Sequence, residues 1–257
     1  MSDVRDAAQE QFGTNAAAYR VSPVHAAGLD LVRLGELAQE LKPLRVLDLG
    51  CGAGHASVAV APYAGEVIAY DLTPAMLRQV EILASERGIA NVTTRQGDVE
   101  RLPFAAAEFD LLVTRYSAHH WHDPGAAITE CYRVLTPGGV LLLSDVVALE
   151  DPLLDTHLQV VELLRDRSHV RDWRVSEWQA MLAAAGFASE PLLRWELPID
   201  FASWIKRLAT PPEREAAIRT VFDEAPDEVR AAMQVRADHS FVLPVALVRA
   251  VKSSVDG

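Results

Sequence analysis

Three glycines at alternate positions, Gly50, Gly52 and Gly54, could bring the backbone of this chain close to a ligand. They directly follow the apolar run Val46–Leu49, and a helical pattern comes after them. Because glycine has no Cβ, such a loop turns sharply and lets a cofactor lie against the main chain. Cys51, inside the loop, is interpreted as a small residue lining the site, and a reactive thiol is not expected there.

Carboxylates follow at the ends of the next apolar runs. Asp71 could accept hydrogen bonds from both hydroxyls of a ribose, with Leu72 beside it in the site. Asp98 and the backbone amide of Val99 are placed to reach the next part of an adenosine. Structural roles compete with binding: Asp71 could cap a helix, Asp98 could shape a turn, and Asp48 could order the loop through backbone amides.

The spacing of the glycines narrows the choice of cofactor. Dinucleotide-binding folds use G-x-G-x-x-G, with the pyrophosphate at the helix N-terminus. Here the third glycine, Gly54, comes one residue early, and His55 takes the expected position. The lysine and serine pair of a P-loop is also missing. The pattern therefore favours an adenosine cofactor without a pyrophosphate.

Candidate acceptor-side residues cluster in Thr114–Asp123, after the fourth predicted strand. His119 and His120 are candidate general bases, because imidazole titrates near neutral pH. One of two adjacent histidines normally packs inward, so at most one is expected to be catalytic. Tyr116 could orient cofactor or acceptor, and Arg115 could meet the carboxylate of the cofactor or of a substrate acid.

Other aromatic and imidazole groups receive structural interpretations. His119, His120 and His122 resemble part of a metal cluster, but no further ligands stand at the required spacing, so we predict no metal site. Trp121 could form a wall of the pocket. The remaining tryptophans are interpreted as core residues: Trp173, Trp178, Trp195 and Trp204.

The elements that must position these residues alternate between strand and helix. Short apolar strands are predicted over 46–49, 67–70, 92–96, 109–114 and 140–144. With helices between them, they predict an α/β fold whose parallel sheet is covered on both faces. We divide the chain into an N-terminal helical segment (1–43), a cofactor-binding core (44–150) and an acceptor-side completion of the sheet with a helical insertion (151–257).

The two ends of the chain carry more specific predictions. A helix is predicted from Ser22–Pro23, with an apolar face formed by Leu29, Val32, Leu34, Leu37 and Leu41. The N-terminal segment either packs on the core or acts as a lid, with Phe12 and Tyr19 covering the glycine loop. A last strand is predicted over 241–251, bulged or near an edge because of Pro244.

Four motifs in 45–145 resemble those of class I S-adenosylmethionine-dependent methyltransferases: Val46–Gly54, Tyr70–Asp71, Gly97–Val99 and Arg133–Gly139. The rest of the chain, including 168–171, 176–178 and 203–206, is similar to the bacterial YcgJ- and YafE-type proteins, relatives of UbiE-type quinone methyltransferases. The resemblance implies a Rossmann-like, seven-stranded, mostly parallel sheet with the last strand antiparallel. It also implies S-adenosylmethionine at Gly50, Gly52, Asp71, Asp98 and Val99.

The amino-acid composition argues against some classes of binding partner. The formal charge of −12 and the pI near 5.1 argue against a nucleic-acid substrate. Two cysteines suggest a reducing compartment, and no signal peptide or transmembrane run is expected, so the predicted location is cytoplasmic without stable membrane insertion.

The predicted partner is a small or lipophilic methyl acceptor, and the sequence leaves monomer or homodimer open. An NAD-dependent oxidoreductase and a non-catalytic S-adenosylmethionine sensor are the alternatives.

Overall fold

A computed structural model describes residues 4–253, and within them seven strands form one sheet in the order β3-β2-β1-β4-β5-β7-β6. The strands are β1 Arg45–Leu49, β2 Glu66–Asp71, β3 Val92–Gln96, β4 Phe109–Arg115, β5 Leu135–Val146, β6 Phe187–Ile199 and β7 Phe241–Lys252. Strand β7 pairs antiparallel with β5 and β6, and the other neighbouring pairs are parallel. The predicted seven-stranded, mostly parallel sheet with its last strand antiparallel is confirmed.

Helices precede, connect and follow these strands. Within 4–253 they are α1 Val4–Arg20, α2 Pro23–Ala26, α3 Leu29–Leu41, α4 His55–Val60, α5 Pro74–Glu86, α6 Pro124–Val134, α7 Pro152–Arg165, α8 Val175–Ala184, α9 Phe201–Arg207, α10 Pro212–Asp223 and α11 Asp227–Ala232. Helices α9 to α11 lie between β6 and β7 in the chain, as the predicted helical insertion requires. No helix in this part of the chain is long and apolar enough to cross a membrane.

Strands β1, β2 and β4 are buried on both faces, which explains why their sequences are predominantly apolar. In β1, Val46 packs in one cluster with Leu34 of α3. The next residue, Leu47, points to the opposite face and packs with Ile128 of α6 and Trp178 of α8. Successive side chains of a strand alternate between the two faces of the sheet. A strand with helices packed on both faces therefore has no solvent-exposed position at which a polar side chain would be expected.

The N-terminal helices differ from the prediction. The expected single helix is broken between α2 and α3, and part of its predicted apolar face is exposed, with Val32 62% accessible. The buried stripe of α3 is instead Asp30, Leu34 and Leu37. These residues follow i, i+4, i+7 spacing and therefore lie on one side of the helix. The prediction was right for Leu34 and Leu37 and wrong for the exposed Leu29, Val32 and Leu41, because it counted apolar residues and omitted the carboxylate that shares the buried face.

Strand β7 also differs from the prediction, because it lies between β5 and β6 and not at an edge. Its Pro244 lies just beyond the paired part of β5, where its carbonyl accepts a hydrogen bond from the amide of Val147 at 2.9 Å. The missing amide of proline therefore interrupts no bond inside the β5–β7 ladder. The irregularity lies in the partner strand, as a register shift between Pro191 and Leu193 of β6.

The position of β1 determines where a ligand can bind. Strand β1 has β2 on one side and β4 on the other, so the chain order reverses at this point. A crevice opens at the carboxyl ends of the strands where such a reversal occurs. The glycine loop leaves the end of β1, Asp71 ends β2 and Arg115 ends β4. The fold thus brings together residues that the sequence singled out separately.

Candidate active site

The glycine loop has a backbone that few other residues could adopt. Gly50 and Gly52 have φ values of +63° and +51°, in the left-handed region. A Cβ placed on Gly50 would lie 1.8 Å from Oγ of Ser117, so a side chain cannot be accommodated without moving that segment. A Cβ on Gly52 would meet no atom within 4 Å. Gly52 therefore presents bare backbone to open space, where a ligand can approach.

Asp71 connects this loop to the next helix. Its Oδ2 accepts a hydrogen bond from the amide of Gly52 at 2.9 Å, and its Oδ1 accepts one from the amide of Thr73 at 2.8 Å. Burial raises the pKa of the Asp71 carboxyl, and these two amides oppose that effect. Each oxygen keeps a second lone pair. The carboxylate can therefore hold the loop and still accept hydrogen bonds from a ligand.

Asp48 is fully buried at the end of β1 and has one oxygen without a partner. Oδ2 accepts a 2.5 Å hydrogen bond from the hydroxyl of Ser57 in α4, while Oδ1 has no partner among residues 4–253. Burial raises the pKa of Asp48 to about 7, and the hydrogen bond from Ser57 works against it. Its contact with the loop region thus runs through a side-chain hydroxyl of the following helix.

A large open cavity lies over the loop, and we call it the glycine-loop cavity. It encloses about 1010 Å³ including its mouth, a size suited to a nucleoside-like ligand. Most of the residues predicted to bind cofactor or acceptor line it: Tyr19, Asp48, Gly50, Cys51, Gly52, Asp71, Leu72, Asp98, Val99, Arg115, Tyr116 and His120. His119 does not line it. Burial raises the pKa of Cys51 well above its usual value, so its thiol stays protonated.

Helix α1 covers this cavity and is tied to its rim. Arg5 forms ion pairs with Glu100 and, from Nε at 2.9 Å, with Asp98. The side-chain amide of Gln9 donates to the carbonyl of Leu72 at 3.0 Å. The turn role predicted as an alternative for Asp98 is also present, since its Oδ1 accepts from the amide of Glu100 at 2.9 Å.

Aromatic side chains of α1 form one wall of the cavity. Phe12 stands edge-on to His120 with ring centroids 4.9 Å apart, and Tyr19 stands edge-on to Phe12 at 5.5 Å. Tyr19 also contacts His25 at 4.7 Å. Burial raises the pKa of Tyr19 to about 12, so the phenol is neutral at physiological pH. His25 was not singled out from the sequence, because nothing in its neighbourhood indicates a site.

Arg115 is held by partners within the protein. Its guanidinium is ion-paired with the fully buried Asp30, donates from Nη1 to the carbonyl of His25 at 2.8 Å and lies over the ring of Tyr116 at 4.3 Å. These partners occupy guanidinium donors that a ligand carboxylate would need. The predicted contact of Arg115 with such a carboxylate therefore stays a prediction. The spacing of Asp30 from Leu34 is the sequence signal that could have revealed the pair.

A second cavity lies behind the aromatic wall, and we call it the arginine chamber. It encloses about 560 Å³ and is lined by Arg165, Arg207, Glu162, Asp166, Asp172, His119, Trp204 and apolar side chains of β5, β6 and β7. It shares five lining residues with the glycine-loop cavity: Phe12, Tyr19, His25, Tyr116 and His120. Trp204 is buried as predicted, yet it also lines this chamber. The two cavities therefore meet at a common wall.

The two adjacent histidines have different environments. Nδ1 of His119 lies 2.6 Å from Oδ1 of Asp145, whose Oδ2 accepts from the His119 amide at 3.1 Å. Burial alone would lower the pKa of His119, but the Asp145 carboxylate reverses this and raises it to about 9. His119 is therefore an imidazolium at neutral pH and has no free nitrogen to accept a proton.

His120 is neutral and faces both cavities. Its Nδ1 lies 3.0 Å from the carbonyl of Ser168, and because a carbonyl only accepts, Nδ1 carries the hydrogen and Nε2 keeps its lone pair. Burial, together with the positive charge of His119, lowers the pKa of His120 to about 4. Of the two candidates, only His120 presents an unprotonated nitrogen at neutral pH.

Comparisons with known proteins agree with this geometry. A family model described as a methyltransferase domain matches residues 47–143. The Bacillus subtilis methyltransferase YcgJ is 41% identical over 246 residues, covering 94% of this chain and 97% of YcgJ. Its crystal structure has a TM-score of 0.81 at 40% identity, over 86% of this chain and 97% of that chain. The chain belongs to the class I S-adenosylmethionine-dependent methyltransferases.

Further relatives extend this result. Escherichia coli YafE is 41% identical over 205 residues, covering 80% of this methyltransferase and 99% of YafE. A ubiquinone biosynthesis O-methyltransferase of Xanthomonas axonopodis is 38% identical over 125 residues, covering 48% of this chain and 51% of that enzyme. The cofactor is S-adenosylmethionine, as the resemblance implied. These relatives give no support to the alternative of an NAD-dependent oxidoreductase.

The methyltransferase also contains groups that sequence reasoning missed. Arg165 and Arg207 stand on different helices and face the arginine chamber together, although they are far apart in the chain. No short motif connects them, so only the folded chain reveals the pair. Among residues 4–253, no group of three or more His, Cys, Asp or Glu side chains is arranged to hold a metal ion.

We predict that the His119–Asp145 pair makes stability depend on pH. The pKa of His119 rises from 6.5 to about 9 on folding. Its contribution is therefore complete below pH 6.5 and is lost as the pH rises through about 9. His119→Gln should be least stable relative to wild type at about pH 6, with the difference shrinking by about pH 9.5. Urea denaturation at several pH values measures this.

The matched control is His157→Gln, because His157 is partly exposed on α7, where its Nδ1 bonds the carbonyl of Leu153. Its stability should follow that of wild type at every pH. If His119→Gln loses the same free energy of unfolding at every pH, the charged His119–Asp145 pair does not make stability depend on pH.

Proposed function

We propose that this methyltransferase transfers the methyl group of S-adenosylmethionine to a small, partly apolar molecule held in the arginine chamber. The observation that carries the proposal is the wall shared by the two cavities, which includes Tyr116 and His120. Methyl transfer needs the acceptor atom in line behind the breaking bond, and such placement can supply about 7–11 kcal/mol. Two cavities that meet at one wall suit this arrangement.

Our proposal assigns the glycine-loop cavity to the cofactor. Gly50, Cys51 and Gly52 would contact it through the loop backbone and its small side chains. Asp71 would bind the ribose hydroxyls, since its oxygens keep free lone pairs beside Gly52. The remaining proposed contacts are Asp48, Leu72, Asp98, Val99 and Tyr19, all of which line the cavity. Arg115 would act indirectly, through the Tyr116 ring beneath it.

The cofactor supplies an activated methyl group, so the protein has only to bind, orient and handle a proton. His120 would accept a proton at Nε2 when the acceptor has one to lose, because Nδ1 is occupied by Ser168. His119 would act as a positioning residue, since its bond to Asp145 fixes it beside His120 with ring centroids 4.1 Å apart. Tyr116 would orient the acceptor from the shared wall.

The wider organisation follows the same proposal. Residues 1–43 would act as a lid, supported by the contacts of α1 with the cavity rim; Met1 to Asp3 lie outside the described residues. Residues 44–150 would hold the cofactor and 151–257 the acceptor. A lipophilic acceptor is supported by the name of the ubiquinone biosynthesis O-methyltransferase that is 38% identical over 125 residues. Two free, buried thiols, Cys51 and Cys131, support a cytoplasmic location.

A labelling experiment tests the proposed function. Incubation with methyl-labelled S-adenosylmethionine and a library of small molecules should give a labelled product. If the acceptor loses a proton, His120→Gln should lower kcat by about 10²-fold or more, because general bases contribute that much. Affinity for S-adenosylhomocysteine should stay within about twofold, and His157→Gln should behave as wild type. Cofactor binding without any labelled product would favour a sensor over an enzyme.

A further inference from the structure

Arg165 has an unsatisfied donor inside the arginine chamber. Its side chain is 9% exposed at the end of α7. Nε donates to the carbonyl of Trp204 at 3.2 Å, and the guanidinium lies over the indole ring at 4.7 Å. Nη2 is buried and has no hydrogen-bond partner among residues 4–253. An unpaired buried donor of a charged group is costly, so this atom is positioned for a partner that comes from outside the chain.

Arg207, at the end of α9, faces the same chamber. Its side chain is half-buried and makes no hydrogen bond or ion pair within the described part of the chain. Arg165 and Arg207 line the same chamber, and the pKa of the Arg207 guanidinium is lowered by burial and by the positive charge of Arg165. The fold thus holds two like charges near each other, with free donors directed into one cavity.

Two of the three chamber carboxylates, Glu162 and Asp166, have partners within the protein. Oδ1 of Asp166 accepts from the amide of Ser168 at 2.8 Å and from its hydroxyl at 2.6 Å. Glu162 lies 3.9 Å from Nη1 of Arg165, the other nitrogen of that fork. Asp172 differs, because its Oδ2 is buried without a hydrogen-bond partner among residues 4–253, and burial raises the pKa of this carboxyl well above its usual value. Besides the imidazolium of His119, the open cationic donors that line the chamber belong to Arg165 and Arg207.

The remaining lining is apolar. Val146, Leu197, Ile199 and Leu243 face the chamber from β5, β6 and β7. We infer that the acceptor in the proposed function is an amphipathic oxyanion, with its carboxylate or phosphate bound by Arg165 and Arg207 and its apolar body packed on this lining. Guanidinium groups fit both kinds of oxyanion, because their planar fork can bond two oxygens at once.

Probe binding tests this inference without requiring methyl transfer. The 257-residue chain, saturated with S-adenosylhomocysteine to fill the glycine-loop cavity, is titrated with the anion 8-anilinonaphthalene-1-sulfonate and with uncharged N-phenyl-1-naphthylamine. Arg207→Gln should weaken binding of the anion at least about tenfold and change binding of the neutral probe less than about twofold. Lys206→Gln is the matched control, since it removes one positive charge from the exposed face of the same helix.

Displacement of the anionic probe separates the possible oxyanions. Decanoate displacing it better than decyl phosphate assigns a carboxylate, the reverse assigns a phosphate, and both should displace it better than decanol. Equal loss of both probes in Arg207→Gln, no loss of either, or displacement by decanol as efficient as by the acids would overturn the inference. Labelled methyl transfer to neutral molecules would then leave the proposed function intact. Arg207-dependent anion binding without transfer to any small molecule would instead remove the proposed function alone.

Discussion

Replacing Asp30 by alanine should destabilise this methyltransferase by about 3–5 kcal/mol. The Asp30 carboxylate is fully buried and, among residues 4–253, is the acidic partner of the guanidinium of Arg115, which is itself 9% exposed. The hydroxyl of Ser144 also donates to Asp30 at 3.3 Å. Without the carboxylate, a buried positive charge remains with only carbonyl oxygens around it. Urea denaturation at neutral pH measures the loss.

Two further variants make this result specific. Glu36→Ala removes an exposed carboxylate of α3 that pairs with Arg33 at 3.0 Å, and should cost only about 0–1 kcal/mol. The double variant Asp30→Leu with Arg115→Met removes both buried charges and should recover much of the lost stability. A single variant as stable as Glu36→Ala would show that the buried pair is unimportant for the fold.

Replacing Asp71 by alanine should weaken S-adenosylmethionine binding by about 1.5–3 kcal/mol, or about 10- to 150-fold in Kd. The reason is the loss of a charged acceptor in the glycine-loop cavity, together with its bonds to Gly52 and Thr73. Calorimetric titration with S-adenosylhomocysteine measures the change without any acceptor present. The result tests the ribose contact that we propose for this carboxylate.

The control for Asp71 is a carboxylate with the same backbone role outside the cavity. Asp151 caps α7 by accepting from the amides of Leu153 at 2.8 Å and Leu154 at 3.4 Å. Asp151→Ala should lower stability by about 1 kcal/mol and leave cofactor affinity unchanged. Unaltered affinity in a folded Asp71→Ala variant would remove Asp71 from the proposed binding site.

Local patterns in the sequence were enough for the parallel strands and for the placement of residues beside the glycine loop, whereas the seven-stranded sheet was implied by the family resemblance. Predominantly apolar runs such as Val46–Leu49, which Asp48 alone interrupts, reflect burial on both faces, and the ends of parallel strands necessarily meet at one edge of the sheet. Asp71 could be placed because it directly ends such a run. The place of β7 inside the sheet could not be predicted, because pairing between distant strands leaves no local pattern.

The acceptor side depended on contacts between distant segments. Which of His119 and His120 is protonated is decided by Asp145 and Ser168, which lie 26 and 48 positions away in the chain. The arginine chamber likewise arises only when α7 and α9 come together over the sheet. Asp30 is different, because its spacing from Leu34 was visible in the sequence and a buried carboxylate on an apolar stripe predicts a cationic partner.

The aromatic residues of α1 have a consequence for the kinetics of turnover. Phe12 and Tyr19 line both cavities, and α1 is also bonded at both sides, through Gln9 to Leu72 and through Gln11 to the carbonyl of Leu208. Displacement of this helix would therefore open the glycine-loop cavity and the arginine chamber at the same time. S-adenosylhomocysteine and the methylated product would leave during the same opening of the two cavities. The rate of that opening would set an upper limit on the number of reaction cycles per second.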